Sequence, residues 1–177
     1  KIFGETQGTT YTVIIVGDEA ELTKKELDAE LRKFDLSLST YIEESVISKI
    51  NESESYISIN DPSGYFKTCY EESQQIYSIT NGLFDPSVFP LVKGWGFMNN
   101  METPLEQGQI DSILQYVSFE DGKYHSLTID GTELEVTKMN LNFKIDFNAI
   151  AQGLSVDMLY DYIEQKGFNN FYVEIGG

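Results

Sequence analysis

Two hydrophobic periods meet within the first forty residues. The β-rich run Tyr11-Thr12-Val13-Ile14-Ile15-Val16 has strand length and is closed by Gly17-Asp18. Directly after it, Leu27, Leu31, Phe34 and Leu38 recur at i, i+4, i+7 and i+11, one apolar stripe that predicts a helix from about Glu21 to Leu38. Thr23 and Glu26 are spaced as its capping box. A turn-rich stretch from Ser39 to Asp61 follows. It holds a short helical candidate, Ser45 to Ile50, and a short alternating strand, Tyr56 to Ile59.

Asp61-Pro62 predicts the start of a second helix, with Asp61 as cap and Pro62 in the first helical position. Phe66, Cys69, Ser73, Ile76 and Thr80 share one face, and Asn81-Gly82 supplies a left-handed stop. Phe84 to Phe97 has no period, two prolines, two glycines and many large apolar residues, the pattern of a packed loop that carries a site. Thr103-Pro104-Leu105-Glu106 predicts a third helix running to about Tyr116. Leu127–Ile129, Asp130-Gly131 and Glu133–Val136 read as a hairpin around a type I′ turn. Asn140 to Asp146 alternates as a further strand. Ala149 to Gln165 reads as a helix with Ile150, Leu154, Met158 and Ile163 inward and Gly167 beyond its end. Strands and helices mix without strict βαβ alternation, so the expected fold class is α+β around one core.

The last strand, Phe171 to Ile175, reads as a core strand that stops at Gly176-Gly177 with nothing after it to pair. Residues 1–177 are therefore expected to be the N-terminal portion of one domain that continues for on the order of a hundred further residues.

Composition narrows the function classes. Hydrophobic residues make up 41% and aromatics 13%, the profile of a folded globular protein. Twelve Lys+Arg against 29 Asp+Glu give a net charge of −17, a surface that repels phosphate backbones, so no nucleic-acid partner is expected. No run approaches the roughly 20 apolar residues of a membrane helix. The chain starts at Lys1 rather than Met, which leaves room for an upstream targeting segment or lipid anchor. The single cysteine, Cys69, excludes an internal disulfide and a zinc cluster, and its place on an apolar helix face predicts a buried, inert thiol.

Phosphate chemistry has one candidate location. Neither G-x-x-x-x-G-K-[ST] nor a strand-linked G-x-G-x-x-G is present. Instead, Lys144 to Gly153 places Asp146 at a strand end just before a helix N-terminus, where free N–H groups and the positive dipole end suit a pyrophosphate. Small residues at Ala149, Ala151 and Gly153 permit close approach to the backbone. The residues alone allow a second account, in which Asp146 only caps the helix. Tyr41, in a polar turn after a helix, could stack on a planar ring or simply pack. Asp85, in Leu83-Phe84-Asp85-Pro86, could face a ligand or bond its own turn. The only histidine, His125, falls in an expected loop and reads as a surface residue, since no G-x-S-x-G elbow accompanies it. With 29 acids, no glycosidase-type carboxylate pair stands out.

Five ordered blocks resemble the ApbE family, the FAD:protein FMN transferases. Gly8-Thr9-Thr10-Tyr11 is similar to its M-G-T-x-[YW] opening. Leu38-Ser39-Thr40-Tyr41 with Ser45 to Asn51 is similar to L-S-x-Y and S-E-[IL]-S-[RK]-x-N. Gly82 to Val92 with Trp95-Gly96-Phe97 resembles G-x-F-D-[IP]-T-V-G-P-L-V…W-G-F. Asp146 to Gly153 with Val156-Asp157 resembles D-[LF]-x-[AS]-I-A-K-G-x-[AS]-[VA]-D, and Val173 to Gly177 matches V-[ES]-[IV]-G-G. The blocks span nearly the whole chain.

The resemblance implies the family's α+β fold, binding of FAD and Mg²⁺, and transfer of FMN from FAD to a Thr or Ser hydroxyl of a target flavoprotein, with release of AMP. Carried over position by position, Gln7 lies against the cofactor, Tyr41 stacks near the flavin or adenine, and Leu83, Phe84 and Asp85 contact FAD. Asp146 binds FAD beside the metal as the central catalytic carboxylate, Gln152 lies beside the pyrophosphate, and the Ala149 carbonyl is a Mg²⁺ ligand. The family's further metal ligands, an Asp and a neighbouring Thr or Ser, follow its V-E-I-G-G. Gln7 replaces the usual Met, Gln152 a frequent Lys and Phe89 a Gly. By the same resemblance the location is extracytoplasmic and membrane-anchored, as a lipoprotein. The competing functions are a Mg²⁺-dependent FAD pyrophosphatase, with water as acceptor, and a non-catalytic FAD-binding protein.

Overall fold

The computed structural model describes residues 1–17, 22–96 and 104–177. It opens on a hairpin that periodicity did not announce: β1 (Ile2–Thr6) pairs antiparallel with β2 (Thr9–Ile15). The connecting residues are Gln7 and Gly8, at φ 51° and 73°. Two successive positive φ values are what a two-residue I′ turn needs, and Asn-Gly is its usual signature. Gln in the first place hides the turn from sequence reading. Helix α1 (Lys24–Leu38) begins at the expected capping box, Thr23 and Glu26, and buries Leu27, Leu31, Phe34 and Leu38. The proposed start at Glu21 lies outside the described residues, as do Asp18, Phe97 and Thr103.

Beyond α1, α2 (Val46–Glu52) is capped by Ser45 and leads into β3 (Tyr56–Asn60). Helix α3 (Tyr65–Ile79) starts later than Asp61-Pro62 suggests, behind a left-handed Gly64. Asp61 still serves the helix end across that turn, because its carboxylate accepts the Phe66 N–H at 2.8 Å and the Ser37 hydroxyl at 2.6 Å. At the other end Asn81 and Gly82 are left-handed, and the Gly82 N–H closes back on the Tyr77 carbonyl at 2.9 Å. The aperiodic stretch is more regular than a loop. It forms a 3₁₀ turn at Pro86–Val88 and then the short α4 (Phe89–Gly94).

Helix α5 (Gln107–Leu114) is capped by Glu106 with Gln109, one turn later than expected. Next come β4 (His125–Asp130) and β5 (Glu133–Lys138). Asp130 pairs with Glu133, so the turn residues are Gly131 and Thr132 rather than Asp130 and Gly131. Only Gly131 has a positive φ, which is the II′ pattern and not I′. Helix α6 (Asn148–Gln165) and β6 (Phe171–Ile175) complete the described chain.

The architecture is α+β, with two antiparallel three-stranded sheets among the described residues, ordered β1-β2-β6 and β3-β5-β4. β6 thus finds its partner in β2, with Val13 opposite Val173. Tyr11 and Val13 of β2, Leu27, Leu31 and Phe34 of α1, Phe66 and Cys69 of α3, and Leu159 and Ile163 of α6 share one core. Burial pushes the Cys69 thiol pKa up, in keeping with an inert role. Among the described residues no helix is long and apolar enough to cross a membrane.

His125 is not on the surface. It opens β4 at 1% exposure, stacked on Phe143 with ring centroids 4.3 Å apart, and its Nε2 lies 2.9 Å from the Tyr70 hydroxyl. Gln74 donates to that same hydroxyl at 3.0 Å, and among the described residues the buried site offers no carboxylate hydrogen bond to a charged imidazole. Burial pulls its pKa down to about 4. The unfolded chain takes up this proton near 6.5 and the folded one near 4, so stability is fully present above the unfolded value and is lost as pH falls. Between pH 7 and 5 the loss should be on the order of 2 kcal/mol. Urea unfolding at both pH values measures it, with a His125→Phe variant as reference. Equal slopes in the two proteins would refute the assignment.

Candidate functional site

The site is built around the segment that joins the second sheet to α6. Phe143, Ile145 and Phe147 are buried, so the alternation read from the sequence is correct, but the expected strand from Asn140 to Asp146 does not form. Side chain and loop groups take the place of a neighbouring strand. The Asn51 Oδ1 accepts the Ile145 N–H at 2.8 Å while its Nδ2 donates to the Ile145 carbonyl at 2.8 Å. One residue on, the Asp146 N–H donates to the Pro86 carbonyl at 2.9 Å. Without a continuous ladder, the chain can turn at Phe147 and start α6.

Asp146 is buried, at 8% exposure, and its carboxylate faces the start of that helix. Oδ1 accepts the Asn148 N–H at 2.7 Å and Oδ2 accepts the Asn148 Nδ2 at 3.1 Å. The N-cap of α6 is Phe147, so Asp146 stands one position before the cap and serves the helix end through an Asx-type bond to the first helical N–H. That bond does not exhaust the group. Burial raises the Asp146 pKa, the Asn148 hydrogen bonds oppose this, and among the described residues no cation pairs with it. A desolvated carboxylate without a counter-ion favours the arrival of one.

A cleft of about 600 Å³ opens beside the first turn of α6. Three segments distant in sequence meet there: the Gln7-Gly8 turn, the loop after α1 with Tyr41, and α6 through Asn148, Ala151 and Gln152. Tyr41 is 64% exposed, so its ring is presented rather than packed. The Ser155 hydroxyl, which donates to the Gln152 carbonyl at 2.7 Å, also lies 3.3 Å from the Gln7 Oε1, while the Gln7 Nε2 is buried with no partner. Gly176 abuts Gln152 closely: a Cβ there would sit 2.6 Å from the Gln152 Nε2, and the residue is left-handed at φ 97°. Glycine is therefore the residue that lets this end of β6 lie against α6. Phe34 and Leu38 supply an apolar wall, the usual make-up of a cleft for a large ligand.

Of the sequence-derived site residues, Gln7, Tyr41 and Gln152 share this cleft, and Asp146 lies behind Asn148, one of its lining residues. Leu83, Phe84 and Asp85 do not line it. Leu83 is 93% exposed, and the Phe84 N–H is held by the Thr80 hydroxyl at 3.2 Å. The Asp85 carboxylate accepts from the Ser87 N–H at 2.8 Å, the Ser87 hydroxyl at 2.6 Å and the Phe119 N–H at 3.2 Å. Asp85 bonds its own turn, as its type commonly does. Among the described residues the hydrogen bond from the Asp146 N–H to the Pro86 carbonyl ties that loop to the site.

Ala149 is exposed in the first turn of α6. Among the described residues no three His, Cys, Asp or Glu side chains gather as a metal cage. The desolvated Asp146 carboxylate and, three residues on in the chain, the Ala149 carbonyl are hard-oxygen donors of the kind Mg²⁺ accepts when phosphates and water complete its shell. The residues fit such an ion. Sequence reading missed Asn148 and Asn51, and only the second had a signal, an amide near the end of a short helix.

Residues 7–177 match the model of the ApbE family. A curated FAD:protein FMN transferase of Vibrio cholerae is 31% identical over 181 residues, covering 98% of this chain and 52% of its own. That of Haemophilus influenzae is 27% identical over 179 residues, covering 98% and 51%. The solved flavin transferase ApbE from Vibrio cholerae superposes with a TM-score of 0.85 at 28% identity, over 99% of this chain and 56% of that one. The chain thus spans about half the length of the curated relatives it matches.

Proposed function

This chain belongs to the ApbE family, and from that premise we propose that it forms part of an FAD:protein FMN transferase. In this reading FAD lies in the cleft with its pyrophosphate toward the N-terminus of α6. A Thr or Ser hydroxyl of a target protein attacks the FMN phosphorus, the bond to the AMP phosphate breaks, and AMP leaves as the hydroxyl gives up its proton. The convergence of Gln7, Tyr41 and Gln152 on one cleft beside the buried Asp146 carries the proposal.

The parts have separable tasks. Asp146 and the Phe147 carbonyl already take the N–H groups of Asn148, Ile150 and Ala151, so it is the positive dipole end of α6 that favours the pyrophosphate. Asp146, with the Ala149 carbonyl, would hold Mg²⁺, which when bound neutralises charge on the pyrophosphate oxygens. Asn148 keeps the Asp146 carboxylate oriented toward that turn. Tyr41 offers a face to one of the two ring systems of FAD. We extend the proposal to an extracytoplasmic, lipid-anchored location, which the family resemblance alone supports.

The direct test gives the protein, at its full natural length, FAD, Mg²⁺ and a Thr-bearing acceptor peptide. AMP and flavin-labelled peptide should appear in equal amounts. AMP with free FMN would make it a pyrophosphatase instead, and FAD binding without AMP would make it a carrier. The exposed ring of Tyr41 sharpens the binding step. Tyr41→Ala should weaken FAD binding about tenfold while moving the apo melting temperature little, because the side chain is largely outside the core. Isothermal titration and thermal melts separate the two effects. A large stability loss with unchanged affinity would make Tyr41 a packing residue.

A further inference from the structure

Asp35 is a polar group of the cleft that none of the five sequence blocks contains. It sits in the last turn of α1, on the side that faces the Gln7-Gly8 turn, and it lines the cleft shared by Gln7 and Tyr41. It also lines a second groove of about 470 Å³ that runs along α1 beside β1, so it stands where the two depressions join. Its neighbours in the cleft are Phe34 and Leu38, which partly desolvate it. Burial raises its pKa and the Arg32 charge opposes the rise.

What sets it apart is its lack of partners. Among the described residues no side chain or backbone N–H donates to the Asp35 carboxylate, and no salt bridge reaches it. The other carboxylates along the buried side of α1 and its surroundings are engaged. Asp28 accepts from Tyr11 and Lys24, and Asp61 accepts from Ser37, Ser63 and Phe66. Across the same cleft the Gln7 Nε2 is buried with no acceptor. One wall therefore holds an open acceptor and another an open donor, with an exposed aromatic ring between segments. Solvent reaches the half-buried Asp35 carboxylate, which can exchange that water for a ligand's donors, while the Gln7 amide is closed off and has no such exchange.

The ligand's chemistry follows from its charge. An anionic group cannot meet a phosphate at short range, so Asp35 belongs on a neutral stretch that presents hydroxyl donors. A carboxylate has two oxygens and matches two neighbouring hydroxyls, the way acidic residues in dinucleotide sites take a ribose. Between a stacked ring at Tyr41 and a pyrophosphate at the start of α6, FAD places a sugar. The adenosine ribose carries two hydroxyls fixed cis on a closed ring, whereas the flavin's open ribityl chain has to be ordered to offer two. We propose that Asp35 is the specificity-determining residue that binds the ribose cis-diol of the AMP half of FAD and disfavours ribose-phosphorylated nucleotides. This rests on the proposed flavin transferase reading.

The experiment measures binding of FAD and of FMN separately, by flavin fluorescence, to the full-length protein and to its Asp35→Ala and Asp35→Asn variants. FAD affinity should fall about tenfold in Asp35→Ala, and less in Asp35→Asn, which keeps one acceptor. FMN affinity should stay unchanged in both. An FAD analogue lacking the adenosine 2′-hydroxyl should bind wild type more weakly than FAD does and should bind Asp35→Ala no worse than FAD does. Equal losses for FAD and FMN would put Asp35 on the flavin half and overturn the proposal. Unchanged FAD affinity in a variant with a normal thermal melt would do the same. A wild-type protein that binds neither ligand would instead refute the flavin transferase reading on which the proposal rests.

Discussion

Asn51→Ala should cost about 4 kcal/mol of stability, a large loss for a single polar side chain. The side chain is 3% exposed and is the sole partner of both backbone groups of Ile145, at 2.8 Å each. Truncation would leave a buried N–H and a buried carbonyl without partners, each at roughly 1–3 kcal/mol, and would open a small void as well. Asn51→Leu, which restores volume but not polarity, should recover little of the loss. Chemical denaturation of the three proteins reads this directly. A loss below about 1 kcal/mol in Asn51→Ala would mean that water or a rearranged neighbour serves Ile145. Because Ile145 is joined to Asp146, the variant should also bind FAD more weakly at temperatures where it remains folded.

Asn51 shows where sequence reading stops. Apolar period was enough to place α1, α3 and α6, and Thr23 with Glu26 form the expected capping box, although α1 begins at Lys24 rather than at the expected Glu21. The same alternation made Asn140–Asp146 look like a strand. Phe143, Ile145 and Phe147 do point inward, but alternation reports only which side chains are buried. It cannot say whether a second strand, or one amide from a helix 94 residues earlier in the chain, satisfies the backbone. Asp61 makes a related point. It was identified as a helix cap, and it does accept the Phe66 N–H, but from beyond a left-handed Gly64 that moves the helix start.

His125 fails for a different reason. Its neighbours in sequence are Tyr124 and Ser126, which say nothing about burial, while its stacking partners Phe119 and Phe143 arrive from separate segments. The candidate site was legible in proportion to how local its residues are. Asp146 before α6 could be read as a carboxylate at a helix start because that arrangement lies within three residues. That Gln7 and Gln152 face one cleft depends on the β1–β2 turn and on the packing of β6 against α6. No period or motif spacing encodes that meeting. Asp35 has no local signal either, since a polar residue near the end of a helix is ordinary.

Asp146→Asn should lower FMN transfer on the order of a hundredfold or more while leaving the fold intact. The substitution isolates charge from shape. Asn keeps the Oδ1 that accepts the Asn148 N–H at 2.7 Å, and Asn serves a helix start about as well as Asp. The second contact, from the Asn148 Nδ2, can be restored if that amide turns to present its oxygen. Stability should not suffer at neutral pH. Burial raises the Asp146 pKa, so the charged form costs the folded state free energy above that pKa, and a neutral amide removes the cost. The variant's melting temperature without ligands should therefore equal or exceed that of wild type. The addition of FAD with Mg²⁺ should raise the melting temperature of wild type much more than that of the variant, since ligand binding to the folded state is what shifts it. AMP release and peptide flavinylation, followed in parallel under the same conditions, should fall together. A variant that melts normally and still releases AMP at the wild-type rate would leave Asp146 with only its observed role, holding the first N–H of α6.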